Sequence, residues 1–271
     1  MKIEVLEHKG NNVKFRLSDS SPAFANAIRR LLFEVPTMAI DEVIIIENSS
    51  LLYDEVLSHR LGMIPLTTPQ GVYNLPSQCV CEGHGCSNCE TSLTLEKEGS
   101  ELGAIETLYS KDLQPEDPDV KPVIENIPIL RFTQGQKVII QAIARLGLAK
   151  DHAKFQCAIA SYKYEPIIEI DTKKSESCES LVDLCPPKIL KYENKSLKVT
   201  DKQKCILCMQ CVENCPEQGA INVRTTGKDF LFNVTSFGQI PVDKLLINAL
   251  EILKEKGIEL QSKIQELSVD V

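Results

Sequence analysis

The sequence has no tryptophan, and its apolar runs are too short to cross a membrane. The longest of these runs, residues 43–46, falls far below the roughly 20 residues that a membrane-spanning helix needs. Met1 leads at once into the polar segment Lys2-Ile3-Glu4, so no hydrophobic signal segment is evident. These features predict a soluble, cytoplasmic protein with no membrane partner.

Positive charge is scarce as well. The chain has 30 lysine and arginine residues against 38 aspartate and glutamate residues, which gives a net charge of -8. Because phosphate binding needs a concentrated positive field, we expect no direct, sequence-specific DNA binding. The chain also lacks a G-x-x-x-x-G-K-[ST] loop, a G-x-G-x-x-G turn and an aspartate-rich metal triad. We therefore expect no catalytic residues in this chain.

Cysteine, in contrast, is abundant. Eleven cysteines without an export signal more often bind metal than form disulfides. Ten of them fall into two clusters, within residues 79–89 and 178–215. Cys157 stands alone in an apolar stretch, where we expect a buried side chain without chemistry.

The second cluster contains a ferredoxin motif. Cysteines at positions 205, 208, 211 and 215, followed by proline, have the bacterial ferredoxin spacing, in which three thiolates bind one cluster and the fourth reaches another. Cys185-Pro186 supplies the end of a second, upstream copy. A zinc site on the same cysteines is the alternative, although zinc ribbons use paired knuckles instead. The spacing predicts one [4Fe-4S] cluster on Cys185, Cys205, Cys208 and Cys211.

The upstream copy of the motif has lost two ligands. The same spacing puts Ser175 and Leu181 where a second cluster would need cysteine, and only Cys178 and Cys215 remain. Two thiols cannot hold a cubane, but their positions converge in a ferredoxin fold. We expect Cys178 and Cys215 to lie within several ångströms of each other. They would form either an oxidisable disulfide pair or two reduced thiols packed as small hydrophobes.

The first cluster predicts a different metal. Four thiolates on a tight loop suit tetrahedral zinc, and a site with no open position would be structural. His84 lies inside the loop, but four cysteines already satisfy the metal, so we expect this histidine to face solvent. The sequence therefore predicts one structural Zn²⁺ on Cys79, Cys81, Cys86 and Cys89.

Hydrophobic periodicity predicts the elements around these clusters. Residues 3–17 alternate as a hairpin, residues 22–35 repeat as a helix that Pro36 ends, and residues 38–47 suit a buried strand. Residues 49–66 suit a helix followed by a turn, whereas residues 67–128 are loop-rich. Strand character returns at residues 137–146, 153–164 and 229–234.

The last predicted helix, residues 241–267, carries a heptad seam. Its apolar positions alternate by four and three, and the seam is broken only by Gly257. Either this helix lies across the chain's own sheet or a partner protein shares it. The seam consists of Leu246, Leu250, Leu253, Leu260, Ile264 and Leu267.

Five motifs between residues 24 and 66 carry a family resemblance. In chain order they are Phe24-Ala25-Asn26-Ala27-Ile28-Arg29-Arg30, Val35-Pro36-Thr37-Met38-Ala39-Ile40-Asp41, Glu47-Asn48-Ser49-Ser50, Tyr53-Asp54-Glu55 and His59-Arg60-Leu61-Gly62-Met63-Ile64-Pro65-Leu66. Together they resemble the D subunit of archaeal DNA-directed RNA polymerase, over essentially the whole chain. That family is similar to the third-largest subunit of eukaryotic polymerase II and to the N-terminal region of bacterial alpha.

The resemblance implies an α+β fold with three domains. They are a discontinuous dimerisation domain (1–47 and 225–271), an inserted mainly-β domain with the zinc loop (48–170) and a ferredoxin-like iron-sulfur domain (171–224). The implied role is a non-catalytic platform that pairs with the L subunit and, with the N and P subunits, docks the second-largest catalytic subunit. The implied assembly residues are Phe24, Asn26, Ile28, Arg29, Arg30, Leu246, Leu250, Leu253 and Leu260.

An iron-sulfur electron-transfer subunit of a redox complex is the alternative function. A ferredoxin does not need so many additional residues, and half of the double-cluster motif is missing, so we expect the assembly role. The cysteine-rich segment has few large apolar side chains, and metal binding would supply the missing folding energy. The sequence leaves open whether the cluster also has a regulatory role.

Overall fold

The computed structural model describes residues 1–99 and 105–269. The helices are α1 (Pro22–Leu31), α2 (Asp54–Gly62), α3 (Leu181–Leu184), α4 (Gln210–Glu213) and α5 (Val242–Val269). The strands are β1 (Lys2–Lys9), β2 (Asn12–Ser18), β3 (Thr37–Asn48), β4 (Glu90–Glu98), β5 (Glu106–Tyr109), β6 (Gln114–Pro115), β7 (Pro128–Phe132), β8 (Lys137–Gly147), β9 (Ala158–Tyr164), β10 (Ile167–Ile170), β11 (Leu190–Glu193), β12 (Ser196–Val199), β13 (Ile221–Arg224) and β14 (Phe230–Ser236).

The chain divides into two compact units. One unit comprises Met1–Arg29 and Ala160–Val234, and the other comprises Arg30–Ile159 and Thr235–Val271. The first unit thus combines the N-terminal hairpin with the cysteine-rich segment at residues 171–224. The second unit contains the four-cysteine loop at residues 79–89 and the last helix. The three-domain bounds given above stay a prediction.

The predicted N-terminal hairpin is confirmed. Strands β1 and β2 pair antiparallel around a turn in which Gly10 has a φ of +53°, a conformation that glycine adopts without strain. They belong to a four-stranded sheet of order β1-β2-β14-β9. Alternate side chains of β2 are buried, and the ring of Phe15 stacks on that of Phe232 at 4.8 Å. Period-two burial therefore sets the register of this sheet.

Helix α1 begins where the sequence predicts and ends earlier. The Ser21 hydroxyl accepts a hydrogen bond from the Phe24 N–H at 3.2 Å, which caps the helix, and Pro22 occupies its first position. The predicted end at residue 35 is wrong, because the regular helix ends at Leu31. Beyond it, the Glu34 N–H bonds to the Leu31 carbonyl, a tight turn that leads into the extended backbone required before proline.

The main core of the second unit lies between α2 and the sheet β3-β8-β4-β6. Alternate residues of β8 are buried, and Leu57 and Leu61 of α2 belong to the same apolar cluster. The prediction that residues 67–128 are loop-rich is wrong for β4, which pairs along its whole length with β8. This strand has few large apolar residues among polar ones, so its alternation is weak in the sequence. Residues 100–104 of that segment lie outside the described residues.

The cysteine-rich segment has a small apolar core of its own. Two antiparallel pairs, β10 with β13 and β11 with β12, frame this core. It contains three cysteines, Cys178, Cys185 and Cys205, together with aliphatic side chains. The larger of these are Leu181, Ile189, Leu190, Leu197, Ile221 and Val223.

Helix α5 is buried only in its first turns. Val242, Leu245 and Ala249 are buried, whereas Leu250 and all described side chains from Lys254 onward are exposed. At about 1.5 Å per residue, its 28 residues extend for about 42 Å. No helix within residues 1–99 and 105–269 combines the length and the apolar character that crossing a membrane requires.

Candidate metal centres and assembly surface

The four cysteines of the loop at residues 79–89, which we call the zinc loop, have converging side chains. All four sulfur atoms lie within 4.8 Å of one another. The Cys79–Cys86 and Cys81–Cys89 sulfur distances are both 3.5 Å, and the Cys86–Cys89 distance is 3.8 Å. A tetrahedral zinc ion with bonds of about 2.3 Å would separate its sulfurs by about 3.8 Å. The donor set and its spacing therefore fit zinc.

The backbone of the zinc loop folds to bring these sulfurs together. Gly83 and Gly85 have φ values of +85° and +92°, which are strained for other residues. The N–H of His84 bonds to the Cys81 carbonyl at 3.0 Å, and the N–H of Cys86 points to the Cys89 sulfur at 3.3 Å. His84 itself is exposed and lies outside the four-sulfur group. The structure thus places this histidine toward solvent, as expected.

Ionisation is unequal within the zinc loop. Burial of Cys89 raises the pKa of its thiol to about 12, and hydrogen bonds with Cys81 and Cys86 add to this shift. Burial also opposes ionisation of Cys81, but hydrogen bonds from neighbouring thiols and backbone N–H groups lower the pKa of this thiol to about 6. Because thiolates bind metal, a bound cation would stabilise the ionised form of these cysteines.

The ferredoxin-motif cysteines lie around a separate, mostly apolar cavity. All four predicted ligands line it, together with Ile168, Ile189, Leu190, Ile221 and Val223. Cys185 and Cys205 are buried, Cys211 is half-buried and Cys208 is exposed. Burial raises the pKa of Cys211 to about 11, and the nearby charges of Cys205, Cys208 and Cys185 act in the same direction. Four sulfurs around one apolar cavity fit the donor set of an iron-sulfur cluster.

The loop between these cysteines also has an unusual backbone. Leu207 and Met209 have φ values of +57° and +62°, although neither is glycine. Non-glycine residues in this region are strained and cluster at functional sites. Such turns direct backbone N–H groups into a concavity that binds anions, including iron-sulfur clusters. Both residues lie between the cysteines of the ferredoxin motif.

Lys163 of β9 fixes the beginning of the loop at residues 203–211, which carries three of the predicted cluster ligands and which we call the cluster loop. Its Nζ donates to the carbonyl oxygens of Gln203 at 2.5 Å and Cys205 at 3.0 Å. Burial lowers the pKa of this lysine. Sequence reasoning missed Lys163, because a lysine in a strand carries no signal until the fold brings it to the loop.

The vacated half of the ferredoxin segment is filled by side chains. The Cys178 and Cys215 sulfurs lie 2.9 Å apart as free thiols, so the structure brings this pair together. Burial raises the pKa of Cys178 to about 11, and the Cys215 thiol adds to this shift. Ser175 and Leu181, at the lost ligand positions, are completely buried. The Ser175 hydroxyl donates to the Thr172 carbonyl at 3.2 Å.

The predicted assembly residues of α1 differ in accessibility. Ile28 is buried within the chain, and its place in the assembly interface stays a prediction. Phe24 and Asn26 are half-buried, and Arg30 is exposed. Arg29 is half-buried and donates through Nε and Nη2 to the Asn26 side-chain oxygen at 3.2 and 2.9 Å. The polar residues of this helix are thus partly ordered by contacts within it.

The predicted assembly residues of α5 are on or near the surface. Leu246 and Leu253 are half-buried, whereas Leu250 and Leu260 are exposed.

Cys157, predicted as a buried residue without chemistry, is buried, and its thiol points to the Leu32 carbonyl at 3.8 Å.

Comparison with known proteins identifies two domains and a family. A family described as the RNA polymerase Rpb3/RpoA insert domain matches residues 43–173, and a 4Fe-4S binding domain matches residues 198–221. The DNA-directed RNA polymerase subunit Rpo3 of Methanosphaera stadtmanae is 38% identical over 269 residues, which cover 98% of this chain and 99% of that protein. The chain belongs to the Rpo3 family. Rpo3 of Archaeoglobus fulgidus is 40% identical over 98% of both chains, and Rpo3 of Pyrococcus furiosus is 36% identical over 99% of this chain and 98% of that protein.

Membership of the Rpo3 family confirms the predicted resemblance, fold class and function. The chain is a non-catalytic assembly subunit of DNA-directed RNA polymerase, a nucleotidyltransferase, and it assembles with other subunits of that enzyme. The alternative of a redox electron carrier is not favoured. The 4Fe-4S match covers Cys205, Cys208, Cys211 and Cys215 but not Cys185, and together with the four sulfurs of the zinc loop it indicates metal binding.

Proposed function

We propose that this Rpo3 family chain pairs one-to-one with the small L subunit and that the pair, with the N and P subunits, docks the second-largest catalytic subunit. The observation that carries this proposal is the exposed seam of α5. Ala249 is the last buried residue of α5 up to residue 267, and beyond it the helix continues with large apolar side chains at heptad spacing. Their exposed fractions are 43% for Leu250, 61% for Leu260, 56% for Ile264 and 71% for Leu267.

An exposed seam of this length favours a permanent partner. Contiguous apolar surface is rare on monomeric proteins and marks interaction sites, and obligate interfaces are the more hydrophobic ones. Phe24 and Arg30 of helix α1 are further proposed contacts for a partner. Within this proposal, residues 1–47 and 225–271 form the dimerisation domain, and residues 48–170 and 171–224 are its two insertions.

The proposed cofactors are one [4Fe-4S] cluster and one structural zinc ion. Cys185, Cys205, Cys208 and Cys211 would hold the cluster, and its bonds would link the start and end of a segment whose own core is small. The zinc ion would cross-link the loop of Cys79, Cys81, Cys86 and Cys89. The 2.9 Å separation of the Cys178 and Cys215 sulfurs supports an oxidisable pair beside the cluster.

Co-expression with the L subunit tests the proposal. The purified complex should elute as a one-to-one heterodimer, whereas the chain alone should be poorly soluble because its apolar seam is uncovered. Iron, sulfide and zinc are measured on the same sample, and four irons and one zinc per chain are expected. A chain that is soluble and monomeric and does not bind the L subunit would contradict the pairing. Eight irons per chain would contradict only the proposed number of cluster ligands.

A further inference from the structure

The zinc loop is tied to its sheet by an ion pair that the cysteine motif does not include. Glu90, the first residue of β4, stands opposite Arg145 of β8. Arg145 Nε lies 2.8 Å from Glu90 Oε2, and Arg145 Nη1 lies 2.7 Å from Glu42 Oε1 on β3. The Arg145 side chain is only 16% exposed. A planar guanidinium held from two sides fixes the orientation of the Glu90 carboxylate.

Glu90 in turn lies directly over the backbone of Gly85. A Cβ atom at position 85 would lie 2.5 Å from Glu90 Oε1 and 2.7 Å from Oε2, so a glycine is needed for this close approach. The N–H of Glu90 donates to the Cys86 carbonyl at 3.0 Å. Glu90 thus contacts the zinc loop at Gly85 and at the third cysteine.

We propose that Arg145 and Glu90 are positioning residues for zinc: Arg145 orients Glu90, and Glu90 holds the zinc-loop backbone at Gly85 and Cys86. This inference rests on the proposed zinc site. Neither side chain is a ligand, so their loss leaves all four sulfurs in place but less well oriented. Groups that orient metal ligands in this way typically contribute about 10- to 100-fold to metal affinity.

Zinc release from the full chain, paired with the L subunit, tests the assignment. A chromogenic chelator reports the rate of release for the parent, Arg145→Met, Glu90→Gln and the double variant. Each single variant should release zinc about 10- to 100-fold faster. The double variant should be no faster than the faster single variant, because both changes act on zinc through the same Arg145–Glu90 contact. Arg145→Lys keeps the positive charge but not the planar guanidinium with its several donors. It should therefore release zinc at a rate between those of the parent and Arg145→Met.

Lys97→Met is the matched control. It removes another ion pair of strand β4, that of Lys97 with Asp112 at 3.2 Å, at the opposite end of the strand from Glu90, and should release zinc at the parent rate. Equal acceleration by this control, additive effects in the double variant, or a parent-like rate in Arg145→Met would each overturn the positioning role. A parent without zinc would overturn the metal site as well. If Arg145→Met fails to fold, Glu90→Gln and Arg145→Lys supply the same comparison.

Discussion

Replacing Leu260 by aspartate tests the proposed seam without disturbing the chain itself. The Leu260 side chain is 61% exposed, so most of its apolar surface is available only to a partner. Full burial of a leucine is worth about 1.5–3 kcal/mol, so the exposed part corresponds to about 1–2 kcal/mol on pairing. Desolvating an unpaired carboxylate adds several kcal/mol. At 1.4 kcal/mol per tenfold, the Kd for the L subunit should rise by about 10³-fold.

Ile258 supplies the matched control for this change. It lies on the same helix and is 55% exposed, but it is outside the heptad seam. Ile258→Asp should therefore leave the Kd within about threefold of the parent, since an exposed carboxylate stays hydrated. Affinity is measured by titrating labelled L, and unchanged circular dichroism shows that each variant is folded. Parent-like binding by Leu260→Asp, or stronger disruption by Ile258→Asp, would refute the assignment of the seam.

The remaining predictions concern the metal centres. Changing Cys86 and Cys89 to serine should remove about one zinc per chain and leave the visible iron-sulfur absorbance intact, because the two sites share no ligand; loss of that absorbance would contradict separate sites. Cys185→Ser should bleach the cluster and spare pairing with L, whereas Cys178→Ser should leave the cluster unchanged; cluster loss in Cys178→Ser would show that the ligand set is wrong. Lys163→Met should speed the loss of the cluster to an iron chelator by about tenfold, because the Gln203 and Cys205 carbonyl oxygens lose their hydrogen-bond donor. A rate equal to that of the parent would show that Lys163 does not stabilise the cluster.

Features that depend on neighbouring residues could be predicted from the sequence. The N-terminal hairpin follows from period-two alternation around Gly10, and the start of α1 follows from Ser21 and Pro22. The cysteine spacings indicated both candidate metal centres, because most of their ligands lie on one loop and Cys185-Pro186 repeats the end of the ferredoxin motif. The absence of ligands at Ser175 and Leu181 likewise predicted that only half of the ferredoxin motif is kept.

Only the tertiary structure decided which distant side chains support these centres. Arg145 reaches Glu90 because β8 pairs with β4, and Lys163 reaches the Cys205 carbonyl because the fold brings β9 to the cluster loop. The sequence places Ile28 on the apolar stripe of α1 but does not show that the chain buries it. Strand β4 was missed because its alternation is weak in the sequence, and only its pairing with β8 shows it to be a strand. These contacts join residues far apart in the chain. They stabilise the protein only after the backbone has closed the loops between those residues.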